Sequence, residues 1–258
     1  MPTDPAVIDI DRMPRGGPDA SWLDRRLQTD RLEYLDRDDV DDRVKRQVVR
    51  SLERLGSLFK DHEKFARLAL DEVADVADPT ILELGSGHGG LSRKLLEIHP
   101  SAHVTVTDID PTSVAHIAAG DLGRHPRATV RVMDATAIGA ADGCFDLAVF
   151  AQSYHHLPPP LASWVFAEGT RVADKLLIID LPRPPSIPHL AQLAALLPLT
   201  VVHPFAHEAV ISSLRAYSPS AMRALARYAD PKIQLRIRMQ QPWGRQIVVA
   251  SRPGWRAR

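Results

Sequence analysis

A glycine run, Gly85-Ser86-Gly87-His88-Gly89-Gly90, lies between a short apolar stretch, Ile81-Leu82-Glu83-Leu84, and a segment with apolar residues at helical spacing, Leu91, Leu95 and Ile98. Glycines there let a strand turn at once into a helix and bring the helix N-terminal N–H groups close to a ligand. The alternation then repeats. Val104 to Thr107 reads as a second strand, followed by a helix carrying Val114, Ile117 and Ala118. Val130 to Val132, Phe145 to Phe150 and Leu176 to Ile179 read as the next three strands. Strand, helix, strand in series predicts an α/β fold, a parallel sheet with helices on both faces.

The flanking regions differ. Residues 1–20 are rich in Pro, Gly and Asp and are expected to form a flexible tail. Residues 21–78 read as an N-terminal helical lid, in which Val44, Val48, Leu52, Leu55 and Phe59 form one apolar stripe. Residues 79–258 form the main domain. Within it, about 182–230 is too long for a plain crossover and reads as a helical cap inserted between strands 5 and 6. It has helices at His189 to Leu197 and from Pro219, where Ser218-Pro219 supplies an N-cap and a first-turn proline. Two strands, around 233–238 and 246–250, are expected to close the chain as an antiparallel hairpin at the sheet edge.

Lys plus Arg and Asp plus Glu number 32 each, so the net charge is zero. No electrostatic pull toward nucleic acid or an anionic membrane follows. The single cysteine, Cys144, excludes an intrachain disulfide. No basic-then-apolar leader and no apolar stretch of about 20 residues is present, so a cytoplasmic protein without a membrane span is expected.

The glycine run alone satisfies patterns for both S-adenosylmethionine and NAD. Three carboxylates separate them. Glu83 ends the first strand close to the loop, where it would repel a pyrophosphate but not a cationic amino or sulfonium group. Asp108 ends the second strand, where it can accept from both ribose hydroxyls; Asp110, just before Pro111, is more simply a helix N-cap. Asp134, followed by Ala135, ends the third strand, from where a carboxylate can meet an adenine amino group; a plain turn residue is the other reading.

Taken together, Glu83-Leu-Gly-Ser-Gly-His-Gly89, Val106-Thr-Asp108-Ile109-Asp-Pro111, Asp134-Ala135 and Phe145-Asp-Leu-Ala-Val-Phe-Ala151-Gln152-Ser-Tyr-His-His-Leu157 resemble the class I S-adenosylmethionine-dependent methyltransferases. The small-molecule branch with ubiquinone and menaquinone biosynthesis-type enzymes is the most similar. The resemblance covers roughly residues 80–180. It implies a Rossmann-like sheet of seven strands, mostly parallel with an antiparallel edge strand. It also implies S-adenosyl-L-methionine held by Glu83, Gly85, Ser86, Gly87, Gly89, Asp108, Ile109, Asp134, Ala135, Ala151 and Gln152. The Pro-Gly-Gly turn common before the fifth strand is replaced by Arg171-Val-Ala-Asp-Lys175.

Methyl transfer to a hydroxyl needs alignment and a group that takes its proton, for which His is suited near neutral pH. His155 and His156, after the fourth strand, are the candidate bases; packing is the competing reading for either. Tyr154 is expected to orient the acceptor or close over the cofactor, and Asp180, ending the fifth strand, is a further base or positioning candidate. Arg215 and Tyr217 in the cap are candidate acceptor contacts. His203, His207 and Glu208 match no standard ligand spacing, and the acidic run Asp36 to Asp42 suits a helix N-terminus, so no metal site is expected. The leading reading is O-methylation of a small phenolic, lipid-like or carbohydrate hydroxyl. Carbon methylation of a quinone-like ring and non-catalytic binding of the cofactor are the alternatives. A homodimer through the N-terminal helices is a further expectation.

Overall fold

The computed structural model describes residues 9–201, 203–240 and 244–254. Seven strands, β1 (Thr80–Leu84), β2 (His103–Asp108), β3 (Ala128–Val132), β4 (Phe145–Ala151), β5 (Ala173–Asp180), β6 (Gln234–Gln240) and β7 (Arg245–Ser251), form one sheet. Their order is β3-β2-β1-β4-β5-β7-β6. The first five strands are parallel, and β7 runs antiparallel to both β5 and β6. This is the sheet expected from the resemblance, with the closing hairpin one or two residues longer than the sequence pattern suggested. The expected turn between its strands falls partly on residues 241–243, outside the described residues.

The apolar runs of the central strands supply both faces, as buried parallel strands require. On one face Leu82, Leu84, Ala148, Phe150, Leu176 and Ile178 pack with α6 (Pro159–Val172) and α9 (Pro219–Ala229). On the other, Ile81, Val104, Val106, Leu147, Val149 and Leu177 pack with α3 (Asp61–Glu72), α4 (Gly90–Ile98) and Ile117 of α5 (Pro111–Ala119). The helix starts are written locally. Asp110 caps α5 by accepting from the N–H groups of Thr112 and Ser113, with Pro111 in the first turn, and Ser218 caps α9 in the same way ahead of Pro219.

The domain boundaries expected from the sequence need three corrections. Residues 9–20 are not a loose tail: Ile10 and Met13 are buried against α6, and Arg15 is buried as well. Two apolar residues without periodicity gave no signal of this. Of the 21–78 region, α1 (Trp22–Arg26) and α2 (Asp42–Leu58) lie outside the sheet layers, but α3 belongs to a core layer, with Phe65, Ala66 and Ala69 buried under α4 and the sheet. In α2, Val48 is buried while Leu52 is exposed, and the side chain of Leu55 lies outside the described residues. The cap is likewise smaller than 182–230. α9 packs along α6 as a layer helix, leaving α7 (Ser186–Leu196) and α8 (Pro204–Arg215) as the inserted part. The sequence pattern did not indicate α8, because its buried face carries Glu208, Ser212, Ser213 and Arg215 among its apolar residues.

All parallel strands deliver their C-terminal ends to one edge, where Leu84, Asp108, Ala151 and Asp180 stand in line. The strand order reverses direction between β1 and β4, the place where open α/β sheets form a crevice. Because α3 is a core layer, Phe65→Ala should cost about 3–5 kcal/mol of unfolding free energy in urea denaturation. A helix that merely rests on the surface as a lid would show a change of about 0.5 kcal/mol or less.

Candidate active site

The edge of β1, β2 and β4 carries the glycine loop. Gly85 and Gly87 both have positive φ, 61° and 55°. A side chain on Gly85 would collide with the Phe150 ring at 2.7 Å, whereas one on Gly87 would project into open space. The loop is tied to β2 by the Ser86 N–H donating to the Thr107 carbonyl and the Gly87 N–H donating to Asp108 Oδ2 at 2.8 Å. The second Asp108 oxygen accepts from the Asp110 N–H. The Ser86 hydroxyl is buried without a hydrogen-bond partner. Glu83 is buried below the loop and accepts from the Ser92 hydroxyl. Burial pushes its carboxyl up from the ordinary 4.5 to about 7, against the Ser92 hydrogen bond.

The remaining expected cofactor contacts stand at or just beyond the C-terminal ends of β2, β3 and β4 and at the start of α4. Ile109 is 65% exposed although large and apolar, standing free beyond β2. Ala135 is half-buried against the core, while Asp134 accepts from the Thr136 N–H and hydroxyl, as a turn residue does. Ala151 ends β4, and Gln152 follows it with φ 59°, a conformation that costs a non-glycine residue energy. The Gln152 N–H donates to Ile179, which locks this turn to β5. Gly89 starts α4 at φ 73°.

Beyond Gln152 the chain makes a 3-10 turn, Tyr154–His156, and the expected catalytic residues separate. Tyr154 is fully buried. Its hydroxyl donates to the Ala162 carbonyl and its ring meets Phe150, Phe166 and Tyr217 edge-on. This placement makes it a core residue and corrects the expectation that it orients the acceptor. Tyr217 and Arg215 are also buried rather than lining a pocket. The Tyr217 hydroxyl donates to Leu157, and Arg215 donates to the carbonyls of His156 and Arg31, so the cap clamps the turn that carries the histidines.

His155 and His156 lie together with Asp180 and with residues that the sequence did not single out. Asp180, 2% exposed, accepts from the His155 N–H at 2.8 Å and lies 2.7 Å from His155 Nδ1. Glu33, also buried, lies 3.4 Å from His155 Nε2 and 3.7 Å from His156 Nε2, and accepts from the Ser212 hydroxyl. Asp36 holds His156 Nδ1 at 2.8 Å. Arg15, buried over the Tyr217 ring, donates to the carbonyls of His155 and Arg215. Glu33 carried one local hint, a lone acid inside Leu32-Glu-Tyr-Leu35; Arg15 and Ser212 carried none, since only the fold brings them here.

The electrostatics follow from burial and charge. Burial alone would lower His155, but Asp180 and Glu33 outweigh it and raise the imidazole to about 9. Burial likewise opposes ionisation of Glu33, but His155 and His156 hold it at about 2. Glu208 takes the opposite course: burial and the neighbouring Glu33 charge push it up to about 8. With its proton, His155 stands as a buried cation between two carboxylates and cannot itself accept a proton in this state. Next to the cluster, Tyr34 stacks on His207 with ring centroids 3.9 Å apart. The same Tyr34 lines an open surface depression of about 500 Å³ with Val40, Val44, Gln47, Thr200, His203 and Pro204.

The chain is similar to known proteins over part of its length. Residues 81–175 match the family described as "Methyltransferase domain". A malonyl-[acyl-carrier protein] O-methyltransferase of Geobacter sulfurreducens is 36% identical over 92 residues, 36% of this chain and 33% of that one. The chain therefore aligns with about a third of the length of that curated relative. Among solved structures, the plantazolicin methyltransferase BpumL in complex with SAH (S-adenosylhomocysteine) superimposes with a TM-score of 0.62 at 10% identity. That match covers 81% of this chain and 90% of that one. Magnesium protoporphyrin IX methyltransferase (ChlM) from Synechocystis PCC 6803 with bound SAH gives 0.55 at 19% identity, covering 74% and 83%. These two likenesses concern the fold. The likeness to the methyltransferase domain family is carried by residues 81–175.

Proposed function

We propose that this chain is an S-adenosylmethionine-dependent methyltransferase that methylates a hydroxyl oxygen of a small molecule. The observation that carries the reading is the glycine loop. Its backbone is bound to Asp108, it has open space over Gly87, and the buried Ser86 hydroxyl beside it has no partner. These are the features of a cradle awaiting a polar ligand, and the residues fit the cofactor of the superfamily. Asp108 would hold the ribose, Gly85 to Gly87 the amino acid end, and Ile109 with Ala135 the apolar faces of the base. Glu83 places a carboxyl under a cationic ligand.

When bound, S-adenosylmethionine supplies an electrophilic methyl group on a good leaving group. What remains for the protein is to align the acceptor, exclude water and handle the charge that develops on the oxygen. The turn after β4 meets the loop directly, since a side chain on Gly85 would come within 3.4 Å of Ser153 Cβ. The His155–His156 pair follows at once, backed by Asp180 and Glu33. Tyr154 fixes the turn from beneath. The open surface depression lined by Tyr34, Val40 and Val44 has a mixed polar and apolar lining and would admit an acceptor with an apolar part. Oxygen as the methylated atom is supported by the O-methyltransferase name of the curated relative. Among the described residues no helix is long and apolar enough to cross a membrane.

Two outcomes follow, both read by titration calorimetry with S-adenosylhomocysteine. Asp108→Ala should weaken binding about 10- to 100-fold, the worth of hydrogen bonds to a charged group. Undiminished binding would remove Asp108 from the site. The second concerns Glu83. Its raised value means that the ligand-free fold loses stability as pH climbs from about 4.5 through about 7 and is level above, a total of about 3 kcal/mol. A cationic ligand next to the carboxyl lowers that value again. Binding at pH 6.5 should therefore release protons, seen as heats that differ between buffers of different ionisation enthalpy, and affinity should rise with pH until about 7. Glu83→Gln should abolish the release; buffer-independent heats in the unaltered chain would contradict a cation over Glu83.

A further inference from the structure

We propose that His155, His156 and Glu33 form a binding site for one divalent transition-metal ion of the zinc type, with a coordination position left open. Nothing in the spacing of the sequence indicated it, because Glu33 comes from the N-terminal segment and the histidines from the turn after β4. The folded chain places a nitrogen of each imidazole and the Glu33 carboxylate within 4.8 Å of one another.

Three observations converge on a metal ion rather than a set of ion pairs. The first is orientation. Each imidazole has its Nδ1 fixed by a carboxylate, His155 by Asp180 at 2.7 Å and His156 by Asp36 at 2.8 Å, which turns both Nε2 atoms toward Glu33. A carboxylate on the far nitrogen is the support that metal-ligating histidines regularly have. The second is distance. The Nε2 atoms stand 3.4 and 3.7 Å from the two Glu33 oxygens, clearly longer than the contacts made by Nδ1. Bonds of about 2.0–2.2 Å to a tetrahedral ion separate its ligand atoms by about 3.3–3.5 Å. The third is an orphan: His155 Nε2 is buried and has no hydrogen-bond partner.

Charge and donor type narrow the ion. The carboxylates of Glu33, Asp36 and Asp180 face the guanidiniums of Arg15 and Arg215, which donate to the carbonyls of His155, His156, Arg31 and Arg215 and of which Arg215 also lies 3.7 Å from Asp36; the ion would displace the His155 proton and take its place as the cation beside Glu33. Two imidazoles with one carboxylate suit zinc, cobalt, nickel or iron and not magnesium or calcium, which require oxygen donors. Three protein ligands leave a fourth position, the pattern of sites that act on a bound oxygen rather than merely hold the fold. The approach to it runs past His156, whose side chain is 28% exposed. The site stands whether or not the chain transfers methyl groups. If the methyl-transfer reading also holds, the open position is where an acceptor oxygen would bind and lose its proton to solvent more readily.

The test uses the full chain, stripped with a chelator and titrated with Co²⁺ and then Zn²⁺, without any methyl donor. One equivalent of Co²⁺ should develop visible d–d bands that Zn²⁺ abolishes and Mg²⁺ does not. His156→Asn and Glu33→Gln should each weaken Zn²⁺ binding about 100-fold or more, and Asp36→Asn about 10- to 100-fold. His103→Asn, at the exposed start of β2, should leave it unchanged. Circular dichroism confirms that each variant is folded; Asp36→Asn, at an exposed position, keeps the test sound if Glu33→Gln is not. Absence of the Co²⁺ bands, or Zn²⁺ binding of equal strength in the folded His156 and Asp36 variants, would overturn the site.

Discussion

The turn after β4, with its two histidines, depends on the contact between Asp180 and His155. A carboxylate at the end of β5 with 2% exposure would be prohibitive alone. It is stabilised because it accepts from the His155 N–H and the Leu181 N–H and lies against His155 Nδ1. That contact fastens the turn after β4 to the neighbouring strand end and fixes the imidazole plane. Losing one partner of such a buried pair leaves the other charge uncompensated, which is far more damaging than the pair is stabilising. Arg15, Arg215 and Tyr217 then close around the turn through its carbonyls, so an N-terminal segment, the cap and α6 all converge on three residues.

Two kinds of site meet along this edge. At the glycine loop the groups are backbone N–H donors with two carboxyls, Asp108, which accepts from the Gly87 N–H, and Glu83, whose burial raises it to about 7. Under the histidine turn they are charged side chains that hold one another: His155 raised to about 9 and Glu33 lowered to about 2 against the effect of burial. The first arrangement suits a ligand brought in whole. The second holds charge largely out of water, directly after the turn that meets the loop.

The division also explains what the sequence could reveal. The loop, Asp108, Asp110 and the strand–helix alternation are local, since each element's neighbours in sequence are its neighbours in space. They could be read directly, as could the helix starts at Pro111 and Pro219. The histidine cluster is non-local. Asp36 looked like one of a run of acids ahead of a helix, Glu33 was a lone acid among apolar residues, and Arg15 belonged to what read as a tail. Tyr154 and Tyr217 misled because a tyrosine beside a candidate site resembles a contact residue, yet their hydroxyls are satisfied by the Ala162 and Leu157 carbonyls in the core. The buried polar face of α8 hid that helix for a related reason: its polar residues serve Glu33 and its neighbours, which helical periodicity takes for surface.

The central claim is that the edge of β1, β2 and β4 binds S-adenosylmethionine. Thermal unfolding of the chain with S-adenosylhomocysteine, and separately with NADH, tests it most directly. At 100 times its dissociation constant a ligand stabilises the fold by about 2.7 kcal/mol, a rise of several degrees in Tm for a chain of this size. A rise with S-adenosylhomocysteine and none with NADH is the result the account predicts. A rise with NADH and none with S-adenosylhomocysteine would contradict it.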